Sequence, residues 1–367
     1  MQAPHRFPTA VATFTRSDDL LVNVHDRRAR DRLAQGAAAL LGLPFLGDRG
    51  EDDREDVFLV PADTLLVDEA AAMGVRNDRF LWGGAAPFAH VATKAISHGL
   101  PWLGARAPAG WNSALGDALG DAVLTGVTAF DPDEALAAGR ALLQFGPVRV
   151  KQVRATGGRG QTVVTAPDTL EAALRDQPDG QIAAFGIVLE ENLTDVETYS
   201  VGTTVLGSHR IAYWGLQRLA RLHDGEEVYA GSDLDVALGG YEDLLAFDLP
   251  LKARAAVEMA RRYDRETFAA YPGLFASRRN YDVIIGKDRN GATRTGVLEQ
   301  SWRIGGASGA EMAALEALVR DRTPRLVRSF TMEVRDEAAE IPPGATLYYQ
   351  GVDPVAGPMT KYAGLRP

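Results

Sequence analysis

The chain has 367 residues, 46% hydrophobic and 24% charged, an ordinary globular balance that excludes a fibrous or disordered protein. A formal net charge of −10 excludes a broad electrostatic footprint for nucleic-acid phosphates, so any anionic ligand must be held by a local basic cluster. The absence of cysteine removes disulfides, thiolate metal sites and thiol nucleophiles together and suits a reducing compartment.

At this length two or three subdomains around a cleft are expected. The amino terminus carries no signal-peptide apolar segment, and no apolar run approaches the roughly 18–20 residues needed to cross a bilayer. A soluble, cytoplasmic protein is therefore expected, with no membrane or nucleic-acid partner. From residue 28 to 74 the pattern alternates: an amphipathic helix in RARDRLAQGAAALLGL, a short buried strand in VFLVP, and a second helix in DTLLVDEAAAMG. A segment rich in Gly, Pro and aromatics spans residues 83–110 and contains one expected helix, HVATKAISHGL. A domain boundary is placed near residue 125. Beyond it, DPDEALAAGRALLQFG reads as a helix with acids in its first turn and a glycine at its end. PVRVKQV and TVV read as strands joined by the glycine-rich turn RATGGRGQ, followed by the helix PDTLEAALRD. Residues 181–206 offer two β-rich runs separated by a polar segment, Glu190 to Asp195. A long amphipathic helix follows at residues 251–271. Two strands, NYDVIIGK and TRTGVLEQSWR, joined by a DRNG turn form an expected hairpin, and GAEMAALEALVRDR is the last expected helix. The tail GVDPVAGPMTKYAG carries no assignable pattern.

Two constellations carry chemistry. Lys151 lies in a strand six residues before Gly157, Gly158, Arg159 and Gly160, so one ammonium adjoins a run of freely oriented backbone N–H groups, which is what a polyphosphate requires. An ordinary exposed turn gives the same pattern, and the Walker A and dinucleotide fingerprints are both missing. In the terminal strand a period of two puts Val297, Glu299, Ser301 and Arg303 on one face. The hairpin brings Asp282 of the partner strand toward Glu299, giving the two hard carboxylates with which Mg2+ is held beside nucleotide phosphates. The glycine loop RIGGASG, opening into a helix, can bind an anion.

The ordered set VRVKQVRATGGRGQ, VLEENLTDVETYSVG, NYDVIIG and VLEQSWRIGG resembles the ATP-grasp superfamily of ligases, which includes biotin carboxylases, D-alanine-D-alanine ligases and L-amino-acid ligases. The resemblance covers about residues 90–310. Its strand Glu-x-Asn-x-Arg is matched by Glu299, Ser301 and Arg303, with serine in place of asparagine. What it implies is an α/β (α+β) chain with an amino-terminal pre-grasp domain at residues 1–125, a small mobile lid at 126–206 and a mixed-sheet domain at 207–367. It further implies that Lys94 and Lys151 meet ATP, that the loop from Gly157 to Gly160 covers the phosphates, that Glu190 and Glu191 begin the adenine hinge, and that Glu197 takes the ribose. Asp282 and Glu299, with Ser301 as third ligand, would hold Mg2+ or Mn2+, and Arg303 would stabilise the transferred phosphate.

On that resemblance the expected function is ATP-dependent activation of a carboxylate as an acyl phosphate for attack by an amine, releasing ADP and phosphate. The alternatives are a biotin carboxylase-like, bicarbonate-activating enzyme and a nucleotide-binding protein without catalysis. The expected partners are a small-molecule carboxylate and amine, with homo-oligomer formation left open. The six histidines show no metal-ligand spacing, and His90 and His98 are expected to serve packing only.

Overall fold

The computed structural model of the chain describes residues 7–16, 23–50, 54–155, 159–221, 227–323 and 325–367. Its first third contains β1 (Ala10–Phe14), α1 (Val24–Leu41), β2 (Phe45–Asp48), β3 (Val57–Pro61), β4 (Leu65–Leu66), α2 (Val67–Ala72), β5 (Gly84–Ala86) and α3 (Leu115–Leu119). The middle contains β6 (Gly126–Ala129), α4 (Pro132–Leu143), β7 (Val148–Gln152), β8 (Gln161–Val164), α5 (Pro167–Arg175), α6 (Gln181–Phe185) and β9 (Ile187–Glu191). The remainder is β10 (Thr194–Leu206), β11 (His209–Arg221), β12 (Glu227–Leu238), α7 (Tyr241–Leu245), α8 (Leu251–Ala270), β13 (Phe275–Ala276), β14 (Arg278–Lys287), β15 (Thr293–Ser301), α9 (Ser308–Arg320), β16 (Val327–Val334), β17 (Thr346–Asp353) and β18 (Gly357–Leu365).

The central element is an eight-stranded sheet in the order β15-β14-β10-β11-β12-β16-β18-β17. Period-two alternation gives it two covered faces. Ala212 joins the cluster under α8, whereas its neighbour Tyr213 joins the cluster under α1 and α9. A parallel sheet β2-β1-β3 sits with α1, and a separate four-stranded sheet β6-β9-β7-β8 packs its own core against α4 and α5. Local chemistry sets several boundaries. Asp131 accepts hydrogen bonds from the backbone N–H of Asp133 and Glu134 at the start of α4, with Pro132 in the first turn. The DRNG turn closes the β14–β15 hairpin, with Gly291 at φ +79° and Asp288 accepting from the N–H groups of Asn290 and Ala292.

Several expectations are corrected. The stretch 63–74 is not one helix, because Leu65 and Leu66 pair with β5 before α2 begins. Residues 90–100 form two short 3-10 turns, Ala89–Ala92 and Lys94–Ser97, separated by an extended Thr93. Gln181–Phe185 is helical rather than β, ending at Gly186 with φ +86°. The unassigned tail supplies the end of β17 and most of β18, which extend the large sheet through pairing of β18 with β16. β10, expected in the middle segment ending at 206, pairs with β11 and β14 and so belongs to the large sheet.

One buried ion pair ties these layers together. Arg278 at the start of β14 donates from Nη2 to Glu311 Oε1 of α9 at 2.6 Å, with side-chain exposures of 1% and 0%. Glu311 also accepts from Thr204 of β10 at 2.7 Å, and the Tyr213 hydroxyl of β11 lies 3.0 Å away. Burial opposes the guanidinium charge, but Glu311 more than offsets it and raises the Arg278 pKa. Removing one partner from such a pair leaves an uncompensated buried charge, at about 3–5 kcal/mol. Glu311→Gln should therefore lower the unfolding free energy from urea titration by about that amount, and a loss below about 1 kcal/mol would show that the pair is not structural.

Candidate active site

The register of the β14–β15 hairpin sets the chemistry. Asp282 pairs with Glu299 and Asn280 with Ser301, but Val283 pairs with Val297, so Leu298 is an extra residue in a β-bulge. The bulge corrects the expected faces: Val297 turns into the core beside Val283 and Trp302, while Glu299 stays on the face of Asp282. The Leu298 carbonyl accepts from Ser97 Oγ at 3.3 Å.

Asp282 accepts hydrogen bonds at Oδ1 from Gln217 at 2.8 Å and from Asn280 at 3.1 Å. Burial, and then the adjacent Glu299 charge, push its pKa up to about 7. Two carboxylates in register, one of them half-buried and resisting ionisation, form a pair whose repulsion a divalent cation relieves. Among the described residues no group of three or more His, Cys, Asp or Glu side chains is arranged around a metal position. The two carboxylates thus fit a Mg2+ that takes its other ligands from phosphate oxygens and water, and do not fit a metal held by protein alone. Ser301 lies beside Asn280 on the same strand pair, half-buried.

Two lysines face this pair. Lys94, 5% exposed, reaches Glu299 Oε2 at 2.7 Å and the Ala155 carbonyl at 2.8 Å. Its short turn is pinned from the other side of β15, where Gln300 donates to the Val91 carbonyl at 2.9 Å and the Thr93 carbonyl at 2.7 Å and accepts from the Tyr263 hydroxyl. Lys151, 2% exposed, pairs with Glu190, whose other oxygen meets His98 Nε2 at 3.1 Å. Burial lowers the Lys151 pKa, partly countered by Glu190. Burial would raise that of Glu190, but Lys151 and His98 hold it down at about 2. His98 is thus a polar partner of the cluster, beyond the packing role expected for it.

The remaining expected residues are spread more widely. Arg159 is exposed, and the Gly160 carbonyl accepts from the Gln152 N–H where β7 meets β8, while Gly157 and Gly158 lie outside the described residues. Glu191 accepts from the Thr125 N–H at 2.9 Å and from Arg294 at 3.1 Å. Glu197, 43% exposed at its side chain, is held by Lys252 at 2.8 Å and by the Tyr199 hydroxyl at 3.0 Å, away from the lysine–carboxylate cluster. Arg303 approaches Asp63 at 3.6 Å and lines a cavity of about 350 Å³ between α1, the Gly305–Gly306 loop and the strands β16 and β18. Asn280 and Arg278 share a face with Asp282 and were readable by the same period of two, whereas Gln217 on β11 has no local sequence signal.

The chain matches the family described as "Protein of unknown function (DUF3182)" over residues 13–363. No curated protein matches it by sequence. Among solved structures it is similar to biotin carboxylase of Campylobacter jejuni in complex with β-γ-ATP, at 13% identity over 97% of this chain and 87% of that one, with a TM-score of 0.53. It is also similar to the biotin carboxylase domain of Hydrogenobacter thermophilus 2-oxoglutarate carboxylase in complex with MgADP, ADP and bicarbonate, at 12% identity over 99% and 87%, TM-score 0.55. Thermotoga maritima phosphoribosylamine–glycine ligase is similar at 13% identity over 97% and 90%, TM-score 0.53. These likenesses show the ATP-grasp fold. No helix among the described residues is long and apolar enough to cross a membrane.

The Glu190 cluster generates a pH test. Its folded pKa lies below the ordinary 4.5, so the stability it contributes is complete above about 4.5 and is lost as pH falls toward about 2. The stability advantage of wild type over Glu190→Gln should be full at pH 6 and shrink steadily toward pH 3 in denaturant titrations. An advantage constant over that range would contradict the assigned cluster.

Proposed function

We propose that this chain, which belongs to the DUF3182 family and has the ATP-grasp fold, is an ATP- and Mg2+-dependent ligase that activates a carboxylate for attack by an amine. The observation that carries the reading is the pairing of Asp282 with Glu299 across the hairpin, with Lys94 on Glu299 and Lys151 in the adjoining sheet. Phosphoryl transfer asks for positioning and charge neutralisation more than for a protein nucleophile, and this set supplies both.

On this reading Lys94 and Lys151 exchange part of their carboxylate pairing for nucleotide phosphates, while the hairpin from Lys151 through Arg159 and Gly160 covers them. Asp282 and Glu299, assisted by the Ser301 hydroxyl, would hold Mg2+, which neutralises polyphosphate charge and favours the in-line geometry. The β9 end at Glu190 and Glu191 borders the adenine, and Glu197 remains the candidate for the ribose once released from Lys252. A substrate carboxylate oxygen then attacks the γ-phosphorus, the bridging P–O bond to ADP breaks, and Arg303 balances charge on the transferred group. Attack of an amine on the acyl carbon expels phosphate and leaves an amide. The four-stranded sheet at residues 126–191 is read as the lid, closing on the large sheet.

Glu299→Gln should lower Mg2+-dependent ADP formation by roughly 100-fold or more while leaving the fold intact. Lys151→Ala should weaken nucleotide binding by roughly 10- to 100-fold, the worth of a charged hydrogen bond. Both are read by coupled ADP release and nucleotide titration with panels of carboxylates and amines. Unchanged turnover and metal dependence in Glu299→Gln would overturn the metal assignment, and unchanged affinity in Lys151→Ala the phosphate assignment.

A further inference from the structure

Among the described residues, the cavity beside Arg303 contains a charge with no carboxylate paired to it. Arg30, on α1, lines it and is only 4% exposed, yet among the described residues its one hydrogen bond runs from Nη2 to Thr15 Oγ1 and its Nε has no partner. The other cations of the wall are matched. Lys361 holds Asp26 at 2.7 Å and Glu333 at 3.0 Å, and Arg303 faces Asp63 at 3.6 Å. Burial lowers the Arg30 pKa, and Asp31, Asp48 and Asp26 oppose that from a distance without pairing with it. A guanidinium held out of water with its fork only partly filled is costly unless an oxyanion completes it, and the planar fork matches carboxylate and phosphate oxygens. The start of α9, a 13-residue helix, adds positive potential at the same wall through Gly306 and Gly309.

We propose that this cavity seats the non-nucleotide substrate and that Arg30 receives a non-reacting oxyanion of it, a carboxylate or a phosphate, making Arg30 a determinant of substrate choice. This rests on the ligase reading for the identification of the cavity's occupant as a substrate. The reacting group then lies toward Arg303 and the oxyanion toward α1. Small acids carrying a second polar group suit the volume, which falls at the lower end of ligand-site sizes.

The test is titration calorimetry on the full chain, with L-alanine, succinate, inorganic phosphate and ribose 5-phosphate as probes and ethylamine, L-alanine's amine without an oxyanion, as the control. At least one of the acids is expected to bind wild type, with affinity reduced at least tenfold in both Arg30→Gln and Arg30→Lys, while ethylamine does not bind. A response confined to the carboxylates or to the phosphates identifies the source of the oxyanion. Arg30→Lys retains the charge and serves where Arg30→Gln does not fold. Absence of binding by all four acids, or equal binding to wild type and Arg30→Lys, overturns the proposal. Because no turnover is measured, failure here with ADP formation intact leaves the ligase reading standing, and binding without turnover does the reverse.

Discussion

The structure depends on the buried contact of Arg278 with Glu311. It is the point at which β14, β10, β11 and α9 meet, and Arg278 Nη1 continues it by donating to the Arg303 carbonyl just past β15. The Tyr213 hydroxyl lies 3.0 Å from both Glu311 Oε1 and Asn280 Oδ1. Having one proton it donates to one of them at a time, and the charged carboxylate is the stronger acceptor. Asn280 in turn donates to Asp282, so the candidate metal carboxylate and the Arg303 turn are both anchored in the same hydrogen-bonded network. Such networks fix geometry more than they stabilise, which is what a site for phosphoryl transfer needs.

The second constraint is the extra residue at Leu298. Strict pairing from the turn sets Val297 beside Val283 in the core and would send Glu299 inward with it, whereas the bulge returns Glu299 to the face of Asp282 and puts Gln300 on the opposite side, where it holds the Val91 and Thr93 carbonyls. One strand thereby presents Glu299 to the site and secures the turn that carries Lys94. The long sequence separation between Lys94 and Lys151 is closed by folding, since the Lys94 ammonium reaches Ala155, four residues past Lys151. The candidate site is an assembly of the small sheet, the large sheet and an irregular connection.

Elements with strong local signals were readable from sequence: α4 with its Asp131 cap, α8 with its long amphipathic period, and the β14–β15 hairpin through DRNG. The Asp282–Glu299 pairing was not fixed by the turn, since strict register from Lys287 and Thr293 sets Asp282 opposite Leu298 and only the bulge brings Glu299 to it. What escaped has physical reasons. No local pattern encodes the extra residue at Leu298. The 3-10 turns around Thr93 carry a helical composition that tertiary hydrogen bonds override, and β17 at the sheet edge and β18 beside it carry a mixed polar content that hides their period. Glu311 reads as one more acid on an amphipathic helix until β14 brings Arg278 against it.

The claim that this hairpin is a nucleotide–metal site is tested most directly by a crystal structure of the full chain grown with MgADP. The account predicts Mg2+ bound between Asp282 and Glu299 and the diphosphate within hydrogen-bonding distance of Lys94 and Lys151. Nucleotide bound elsewhere, or both lysines still closed on Glu299 and Glu190 with no metal at the pair, would contradict it.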